Sequence, residues 1–325
     1  MNNIIITCGD INGIGPEISL KALKKIKSGN FYYTFICPKN IFDKSAQLVN
    51  FDKPFFASKS PFEIIKSKSR IKILLLNNSK LQPGNSTKES GLTSFNALSI
   101  AQKFIIDFGY KILITAPISK QSLKFAGKNF TGHTELISSW FGSKNYLMTF
   151  ISKNFKAALL TIHVPINSVT NLLTKDSLFS KLNIFHESLK KDFGLKNPSI
   201  AVLGLNPHAG ESGNIGKEEI NVIVPILRKM RNKNIHGPFV PDAFFANHNY
   251  KNFDGVFGMY HDQVLIPFKM KNFNNGVNFS AGLPIIRTSP DHGTAFDIAW
   301  QNKADEKSMI NAIKIALKVF KNRNT

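Results

Sequence analysis

Cysteine, acidic residues and long apolar segments are all scarce in this chain, and each scarcity excludes a class of protein. The 325 residues include two cysteines, Cys8 and Cys37, which both lie in apolar runs. We expect these to be small buried thiols rather than a disulfide or a nucleophile. No apolar segment reaches the length of a transmembrane helix, and the apolar stretch after Met1 is short and has no basic leader. The expectation is a cytoplasmic protein without a membrane partner.

Basic residues outnumber acidic residues two to one, which bears on the class of partner. There are 42 Lys and Arg against 21 Asp and Glu, a formal net charge of +21. Such an excess indicates either nucleic acid or an anionic substrate. The lysines are scattered, however, and no dense basic arm or module of alternating basic and aromatic residues is present. We therefore predict no nucleic-acid partner and an attraction for a phosphorylated metabolite.

Short apolar runs alternate with helical patterns along most of the chain, and 42% of its residues are hydrophobic, as in ordinary globular proteins. The runs predicted as strands are residues 3–8, 31–37, 71–76, 111–115, 146–151, 156–162, 199–205 and 254–259. The segments predicted as helices are residues 16–26, 91–108, 133–141, 177–191, 216–233 and 307–321. This alternation predicts an α/β fold in which parallel strands are covered by helices.

Two stretches depart from the alternation. Residues 146–151 and 156–162 are separated by a short turn with no helix, so they predict an antiparallel pair in the middle of the chain. Residues 266–288 are rich in β-forming residues and are predicted to be poor in helix. No linker or repeat marks a domain boundary. We expect interleaved domains, with both chain ends in one domain and the middle of the chain in the other.

Three histidines each follow a predicted strand closely. His163, His208 and His261 stand just after apolar runs. If those runs are neighbouring parallel strands, their carboxyl ends open onto one crevice, where three imidazoles could hold one divalent metal. Three protein ligands leave one coordination position open, as in catalytic metal sites. The alternative is that each ring only forms a hydrogen bond with a backbone carbonyl, since no H-E-x-x-H signature is present.

The first predicted strand leads into a glycine-rich turn at residues 8–17. Its three glycines permit a tight turn, and Pro16 suits the first turn of a helix. The turn lacks the G-K-[ST] ending of a phosphate-binding loop and the third glycine of a dinucleotide-binding turn. It is therefore either a cofactor contact or a plain strand-to-helix turn, and Asp10 is the side chain of interest within it.

Two further groups of residues are suited to anion binding. His133 and Thr134 open a predicted helix, where exposed N–H groups could bind a carboxylate or phosphate, although a simple helix cap would show the same pattern. Lys269, Asn278 and Arg287 offer two cations and an amide donor, which recognition of a phosphorylated acid requires. Each of these residues alone is more often an ordinary surface residue.

A proline-bounded turn at residues 290–297 precedes a helix start. Backbone amides around His292, Gly293 and Thr294 could cradle the phosphate or ribose of a nucleotide. Asp242 follows Pro241 and lies near the histidine-bearing strands in sequence. It is a candidate contact for a metal or a substrate.

In their order along the chain, these motifs resemble the 4-hydroxythreonine-4-phosphate dehydrogenase family of pyridoxal phosphate biosynthesis. The resemblance covers nearly the whole chain and is specific, because several matching blocks are long. The blocks are Gly9-Asp-Ile-Asn-Gly-Ile-Gly-Pro-Glu, Thr115-Ala-Pro-Ile-Ser-Lys, Gly132-His-Thr-Glu, Leu205-Asn-Pro-His-Ala-Gly-Glu, Gly237-Pro-Phe-Val-Pro-Asp, Met259-Tyr-His-Asp-Gln and Thr288-Ser-Pro-Asp-His-Gly-Thr-Ala-Phe-Asp. The chain departs from the family at Ile11 and Asn12, where Pro-Ala is usual, and at Ser119, where Asn is usual. These departures bear on the details of the loops.

The resemblance implies a fold like those of isocitrate and isopropylmalate dehydrogenases, with two α/β/α domains and a cleft between them. The cofactor-side domain would comprise residues 1–125 plus 276–325. The domain for metal, substrate and dimerisation would comprise residues 126–275. The protein would be a homodimer whose active site draws on both subunits.

The resemblance also implies a role for each candidate residue. One divalent metal per site, zinc, magnesium or cobalt, would be bound by His163, His208 and His261. Substrate would be bound by His133, Thr134, Lys269, Asn278 and Arg287. The nucleotide, NAD or NADP, would be bound by Asp291, His292, Gly293, Thr294 and Ala295. The catalytic proton acceptor would be Asp242, Lys269 or water.

The implied reaction is oxidation of 4-phosphooxy-L-threonine to 2-amino-3-oxo-4-phosphooxybutanoate, which loses carbon dioxide to give 3-amino-2-oxopropyl phosphate. A metal suits this chemistry because it stabilises negative charge on oxygen as hydride leaves and again as carbon dioxide is lost. One alternative is a related dehydrogenase of a four-carbon sugar-acid phosphate, such as threonate or erythronate 4-phosphate. Another is a three-histidine metallohydrolase, which would need no nucleotide.

Overall fold

The computed structural model of the protein describes residues 2–27, 29–128, 132–142, 145–272 and 275–324. The chain divides into two compact units: unit 1 is Met1–Gly142 with Pro284–Leu317, and unit 2 is Ser143–Leu283 with Lys318–Thr325. The domains predicted from the sequence, 1–125 plus 276–325 and 126–275, are also interleaved, and their assignment to functions stays a prediction. Among the described residues, no helix is both long enough and apolar enough to cross a bilayer.

Unit 1 contains a parallel sheet with strand order β3-β4-β2-β1-β5-β12. Its strands are β1 (Asn2–Thr7), β2 (Phe31–Pro38), β3 (Phe56–Ser58), β4 (Ile71–Leu76), β5 (Ile112–Thr115) and β12 (Ile286–Pro290). Its helices are α1 (Gly15–Lys25), α2 (Lys39–Leu48), α3 (Pro61–Lys66), α4 (Lys88–Phe108), α5 (Lys120–Phe125), α6 (His133–Ser139) and most of α12 (Lys307–Arg323). The central strands are buried almost from end to end, which is why they appear in the sequence as continuous apolar runs.

The connections of unit 1 follow from local sequence signals. Helix α4 is preceded by the capping residue Thr87, whose hydroxyl accepts from the backbone N–H of Ser90 in a reciprocal capping box. It is followed by Gly109, which caps its end in the left-handed conformation. From β1 the chain builds the sheet towards one edge, through β2, β3 and β4. It then returns to place β5 on the other side of β1. The carboxyl ends of β1 and β5 therefore form a topological switch point, where α/β proteins usually bind ligands.

Unit 2 contains a mixed sheet with strand order β11-β6-β7-β10-β8-β9. Its strands are β6 (Leu147–Ile151), β7 (Lys156–Leu159), β8 (Ile200–Leu203), β9 (Ile235–Phe239), β10 (Gly255–Gly258) and β11 (Val277–Ala281). Its helices are α7 (Val169–Leu172), α8 (Lys175–Lys191), α9 (Val224–Lys229), α10 (Pro241–Ala246) and α11 (His261–Asn272). The pairing of β6 with β7 is antiparallel, which confirms the predicted insertion, whereas β7, β10, β8 and β9 are parallel.

The prediction that residues 266–288 are poor in helix is wrong for their first part, because α11 continues to Asn272. Pro267 lies inside that helix and would ordinarily cost about 3 kcal/mol. Val264, Leu265 and Phe268 are buried in the core of unit 2, and each such side chain contributes roughly 1.5–3 kcal/mol. Burial of this apolar face therefore outweighs the proline. Residues 273 and 274 lie outside the described residues, and the later part forms β11 and β12 as β-forming residues predict.

A buried lysine lies in the sheet of unit 1. Lys72 in β4 is 0% exposed, and its ammonium nitrogen has no hydrogen-bond partner among the described residues. The nitrogen lies 5.2 Å from the centre of the Tyr32 ring on the neighbouring strand β2. Burial lowers the pKa of Lys72, because the charged form loses its hydration.

We expect Lys72→Met to stabilise the protein at neutral pH by roughly 1–3 kcal/mol, the cost of burying an unsatisfied polar group. The folded pKa of Lys72 lies below its unfolded value, so the unfolded chain takes up this proton first as the pH falls through about 10.4. The free-energy cost of burying the charged ammonium is absent above that pH and grows below it. The stability difference between variant and wild type should therefore shrink from pH 7 to about pH 10.

Urea denaturation at the two pH values measures this difference. Lys44→Met is the matched control, because Lys44 is exposed on α2 and its replacement should change stability by less than about 0.5 kcal/mol. A gain that is the same at both pH values would show that Lys72 carries no buried charge.

Candidate functional site

The loops that follow β1 and β5 meet at the switch point of unit 1. The backbone N–H of Asp10 donates to the carbonyl of Pro117 over 2.8 Å. Gly9 has a φ of +68°, and a Cβ there would lie 2.2 Å from the oxygen of Pro117. Only glycine combines this conformation with so close an approach. The glycine-rich turn is thus fixed against the segment that begins at Thr115.

Asp10 holds this turn from within. It is 0% exposed, and its carboxylate accepts from the backbone N–H of Asn12 at 3.0 Å and from the Ser90 hydroxyl at 3.1 Å. Burial raises the pKa of Asp10, and these hydrogen bonds, with one from Ser122, oppose the rise. Of the two interpretations of the turn, the described contacts of Asp10 fit a structural role.

The predicted nucleotide loop packs on the same turn. The backbone N–H of Ile14 donates to the carbonyl of Thr294 over 3.0 Å. A Cβ at Gly13 would lie 2.7 Å from that carbonyl oxygen. Ala295 adopts a left-handed φ of 43°, and the Nδ1 atom of His292 lies 3.1 Å from the carbonyl oxygen of Gly293. The loop after β12 is therefore a curved backbone segment supported by the loop after β1.

Two of the predicted substrate residues come together around a buried guanidinium. Arg287 in β12 is 2% exposed, and it donates to the hydroxyl of Thr115 over 2.8 Å and to that of Thr134 over 3.3 Å. Burial lowers the pKa of Arg287 to about 10, and the nearby carboxylate of Glu135 opposes the shift. The group remains a cation at neutral pH, and it joins the start of β12 to the end of β5 and the first turn of α6.

His133 adds a neutral ring to this cluster. Its Nε2 atom is buried and has no hydrogen-bond partner among the described residues. Burial and then the positive charge of Arg287 lower the pKa of His133 well below its ordinary value. The Oε2 atom of Glu135 is also buried without a hydrogen bond in the part of the chain that the structure describes. A cation, a neutral imidazole and a carboxylate therefore lie close together. The cation can bind an anionic group of a ligand, and the carboxylate can accept from a hydrogen-bond donor beside that group.

The three strands that precede the candidate metal ligands are adjacent and parallel, as the histidine positions required. Strand β10 lies between β7 and β8 and pairs with both in parallel. His163, His208 and His261 follow the carboxyl ends of β7, β8 and β10, respectively. The condition that these strands are parallel neighbours is therefore met, and the shared metal stays a prediction.

The rings themselves form a pair and a separate third. The ring centres of His163 and His261 are 6.0 Å apart, and the Nδ1 atom of His261 lies 2.7 Å from an oxygen of Asp262. Among the described ranges, no three His, Cys, Asp or Glu side chains are placed to hold one metal. His208 lies in a run of left-handed residues that continues to Ser212. One chain, as described, thus does not bring all three rings together.

The remaining predicted residues of unit 2 lie on separate elements. Lys269 is exposed on α11, and Asp242 is exposed in the first turn of α10. Asn278 is half-buried in β11, opposite Phe150 of β6. Every predicted metal ligand and both catalytic candidates therefore lie in unit 2. His133, Thr134, Arg287 and the nucleotide loop belong to unit 1.

Sequence reasoning missed several residues that position these groups. Thr115, which accepts from Arg287, was seen only as part of a loop motif. Gln263 and Glu219 were not singled out, although both are buried and form hydrogen bonds at the strand ends. The available signal for Gln263 was its place two residues after His261. Glu219 gave no signal, because an acidic residue at the start of a predicted helix is ordinary.

The fold is of the isocitrate dehydrogenase type. The structure is similar to isocitrate dehydrogenase from Methylococcus capsulatus, with a TM-score of 0.52 at 11% identity, over 100% of this chain and 87% of that one. So low an identity shows the fold alone. The predicted fold class is confirmed by this likeness.

Closer relatives define the family. The family model "Pyridoxal phosphate biosynthetic protein PdxA" matches residues 31–316. The chain is 40% identical to 4-hydroxythreonine-4-phosphate dehydrogenase of Sulfurihydrogenibium sp., over 98% of both chains. A crystal structure of 4-hydroxythreonine-4-phosphate dehydrogenase from Klebsiella pneumoniae has a TM-score of 0.82 at 32% identity, over 98% of this chain and 99% of that one. The chain belongs to this pyridoxal phosphate biosynthetic family, as its motifs predicted.

We expect Gly13→Ala to destabilise the protein by roughly 1–3 kcal/mol, the usual cost of forcing atoms into a packed site. The reason is the 2.7 Å approach of the added Cβ to the backbone oxygen of Thr294, which can move only with its loop. Gly293→Ala is the matched control, because a Cβ there meets nothing within 4 Å. Thermal unfolding followed by circular dichroism compares the two, and equal melting temperatures would contradict this packing of the loops.

Proposed function

We propose that the protein is a 4-hydroxythreonine-4-phosphate dehydrogenase, which oxidises 4-phosphooxy-L-threonine with NAD or NADP. The product, 2-amino-3-oxo-4-phosphooxybutanoate, then loses carbon dioxide to give 3-amino-2-oxopropyl phosphate. The observation that carries the proposal is the buried Arg287, held by two threonine hydroxyls near His133, whose Nε2 atom has no hydrogen bond with any residue that the structure describes. Relatives of this name across nearly the whole length of the chain support the same activity.

The Arg287 cluster suits an anionic part of this substrate. Its guanidinium is oriented by hydrogen bonds to Thr115 and Thr134, so little conformational freedom is lost on binding. His133 is neutral over its ordinary titration range because its pKa is lowered. Its ring therefore offers one donor nitrogen and one acceptor nitrogen without adding charge.

Lys269 and Asn278 of unit 2 are the other residues assigned to the substrate, and they offer a second cation and an amide. Oxidation transfers hydride from the carbon that carries the substrate hydroxyl to the nicotinamide, and the hydroxyl proton goes to a base. Lys269 and Asp242 are the side chains assigned to accept it, directly or through water. If Lys269 is protonated it instead balances substrate charge, which holds the reacting carbon in place, and the proton then goes to Asp242 or water.

The chemistry of the donor set fits a divalent metal. His163 and His261 already lie ring to ring, and the Asp262 carboxylate beside Nδ1 of His261 would orient that ring with Nε2 outward. Zinc, magnesium and cobalt are the candidate ions, and imidazole ligands favour zinc and cobalt over magnesium. When bound, the metal supplies Lewis-acid stabilisation of the negative charge that develops on the substrate oxygen.

The nucleotide is assigned to the loop after β12, with Asp291, His292, Gly293, Thr294 and Ala295. The loop lies next to the switch point of unit 1, because its Thr294 carbonyl accepts from Ile14 in the turn after β1. Gly293 is exposed and has open space around its Cα. Close approach of a ribose or phosphate to the backbone is therefore unobstructed there.

The distribution of exposed apolar side chains supports a homodimer with the site at its interface. In unit 2, the large exposed hydrophobic residues among those described are Val164, Ile166, Leu172, Ile215, Ile220, Ile266 and Met270. Each follows one of the three candidate metal ligands by no more than 12 residues. Clusters of exposed apolar residues mark interaction surfaces. A second copy that covers them would bring its own histidines to the same place.

The activity is tested by NADH or NADPH formation from 4-phosphooxy-L-threonine, with each nucleotide and a series of metals. We expect turnover by the wild type and a fall in kcat/KM of roughly 10- to 100-fold in Arg287→Lys. The loss corresponds to about 1.5–3 kcal/mol for a hydrogen bond to a charged group. Lysine has one ammonium group and cannot reproduce the planar guanidinium that donates to two hydroxyls. Arg70→Lys is the control, because Arg70 is exposed in the same unit.

Two results would replace the proposed activity with another. Turnover of threonate or erythronate 4-phosphate without turnover of 4-phosphooxy-L-threonine would identify a sugar-acid phosphate dehydrogenase. Metal-dependent phosphate release without nucleotide reduction would identify a metallohydrolase.

Single variants and their mixtures test the shared metal site. We expect His163→Ala, His208→Ala and His261→Ala each to lose bound Co²⁺ and most activity. If the ligands come from two copies, two variants that each lack a ligand from a different copy leave one of the two sites intact in a mixed dimer. Since about half of the dimers in an equal mixture are mixed, the mixture should regain about a quarter of the wild-type Co²⁺ sites. Equilibrium dialysis of co-refolded mixtures measures this.

His236→Ala serves as the control for these variants, because His236 is an exposed histidine of unit 2 and should leave Co²⁺ binding unchanged. Failure of all three pairwise mixtures would exclude a site shared between copies. Full activity of metal-free His208→Ala would exclude the metal from the mechanism.

A further inference from the structure

Buried polar side chains join the three strand ends that carry the candidate metal ligands. The Thr161 hydroxyl, two residues before His163, donates to the carbonyl of Met259 over 2.7 Å. The backbone N–H of Thr161 donates to the same carbonyl over 3.1 Å. Met259 itself lies two residues before His261. The segments after β7 and β10 are thereby fixed to each other.

Gln263 makes the next connection. Its Oε1 atom accepts from the backbone N–H of Met259 at 2.7 Å, and its Nε2 atom donates to the carbonyl of Gly204 over 2.6 Å. Met259 follows β10 and Gly204 follows β8, so this one side chain bridges two neighbouring strand ends. Its amide is the kind of group that can accept from an N–H and donate to a carbonyl at once.

Packing around Gln263 leaves its amide little freedom. The residue is 9% exposed, and a Cβ at Gly258 would lie 3.0 Å from its Oε1 atom. Both partners of the amide are backbone groups, whose positions are set by the sheet. Rotation of the side chain would leave a buried N–H and a buried carbonyl unpaired, at a cost of roughly 1–3 kcal/mol each.

Beyond Gly204, the buried carboxylate of Glu219 supports the loop that carries His208. Its Oε1 atom accepts from the backbone N–H groups of Leu205 and Asn206 at 2.7 and 2.8 Å. The Asn206 side chain donates to its Oε2 atom over 2.9 Å. His208 therefore follows a segment held by Glu219 on one side and by Gln263 on the other.

We propose that Gln263 is a positioning residue for the metal site: it sets the register between the His261 turn and the His208 loop through the backbone of Met259 and Gly204. The inference rests on the proposed function, because it assigns these histidines to a metal. Outer groups that orient metal ligands typically affect metal affinity by 10- to 100-fold when removed. Gln263 acts through the backbone and need not contact metal, substrate or cofactor.

The test compares Gln263→Met with a variant that loosens the same two strands at their other ends. Ser199 lies just before β8, and Asp254 lies just before β10. The Ser199 hydroxyl accepts from the backbone N–H of Asp254 and donates to the Asp254 carboxylate, both over 3.1 Å. Ser199→Ala therefore weakens the pairing of β8 with β10 far from the histidines. For each protein, Co²⁺ affinity is measured by competition with a chromophoric chelator, and the visible Co²⁺ spectrum and the melting temperature are recorded.

We expect Gln263→Met to weaken Co²⁺ binding by roughly 10- to 100-fold and to change the intensity of the visible bands. Ser199→Ala should keep both within about twofold of the wild type, even where its melting temperature falls equally. Gln263→Glu is the second variant, because a carboxylate still accepts from Met259 but cannot donate to Gly204. If Gln263→Met does not fold, weakened Co²⁺ binding by folded Gln263→Glu carries the same conclusion.

The outcomes separate this inference from the function it rests on. Wild-type affinity and spectrum in a folded Gln263 variant would overturn the positioning role while the proposed function stands. Equal weakening in Ser199→Ala would reduce Gln263 to a general contribution to stability and also overturn it. Absence of Co²⁺ binding by the wild type would contradict the metal site itself, and this inference with it.

Discussion

Backbone N–H and carbonyl groups just beyond the carboxyl ends of parallel strands need hydrogen-bond partners outside the sheet. The structure of both units depends on which side chains provide them. A buried N–H or carbonyl without a partner is costly, and loops after parallel strands expose many such groups at once. In unit 1 the Asp10 carboxylate accepts from Asn12, and the Asn12 side chain accepts from Gln82 at 2.8 Å. In unit 2, Gln263 and Glu219 serve the same purpose. Satisfying the backbone locks loops from different strands together.

This constraint explains why the candidate sites lie where they do. The polar side chains that satisfy strand ends also bring the neighbouring functional groups into fixed positions. Arg287 projects from the last strand of unit 1 to the hydroxyls of Thr115 and Thr134, which come from two other elements. The cluster is thus assembled by the sheet. The guanidinium is 2% exposed, and the nearby Glu135 carboxylate offsets part of the cost of burying its charge.

The sequence predicted the strand-end histidines but not the neighbours of each strand. Apolar runs before His163, His208 and His261 indicated buried strands, because periodicity reports how a segment is buried. Their adjacency depends on β10 entering the sheet between β7 and β8, against chain order. That insertion is decided by contacts between distant segments. Helix α11 was missed for a related reason, since Pro267 is a local breaker whose cost is outweighed by burial in the core.

The loop that carries His208 shows how far the described contacts of one chain fix a candidate metal ligand. His208, Ala209, Glu211 and Ser212 all have positive φ values, between 42° and 57°. Such conformations cost non-glycine residues roughly 1–2 kcal/mol each, so this loop persists only because its surroundings hold it. Glu219 and Asn206 supply that support at its start. The stem of the loop is therefore fixed within one chain, whereas the exposed His208 is not grouped with the other two candidate ligands among the described residues.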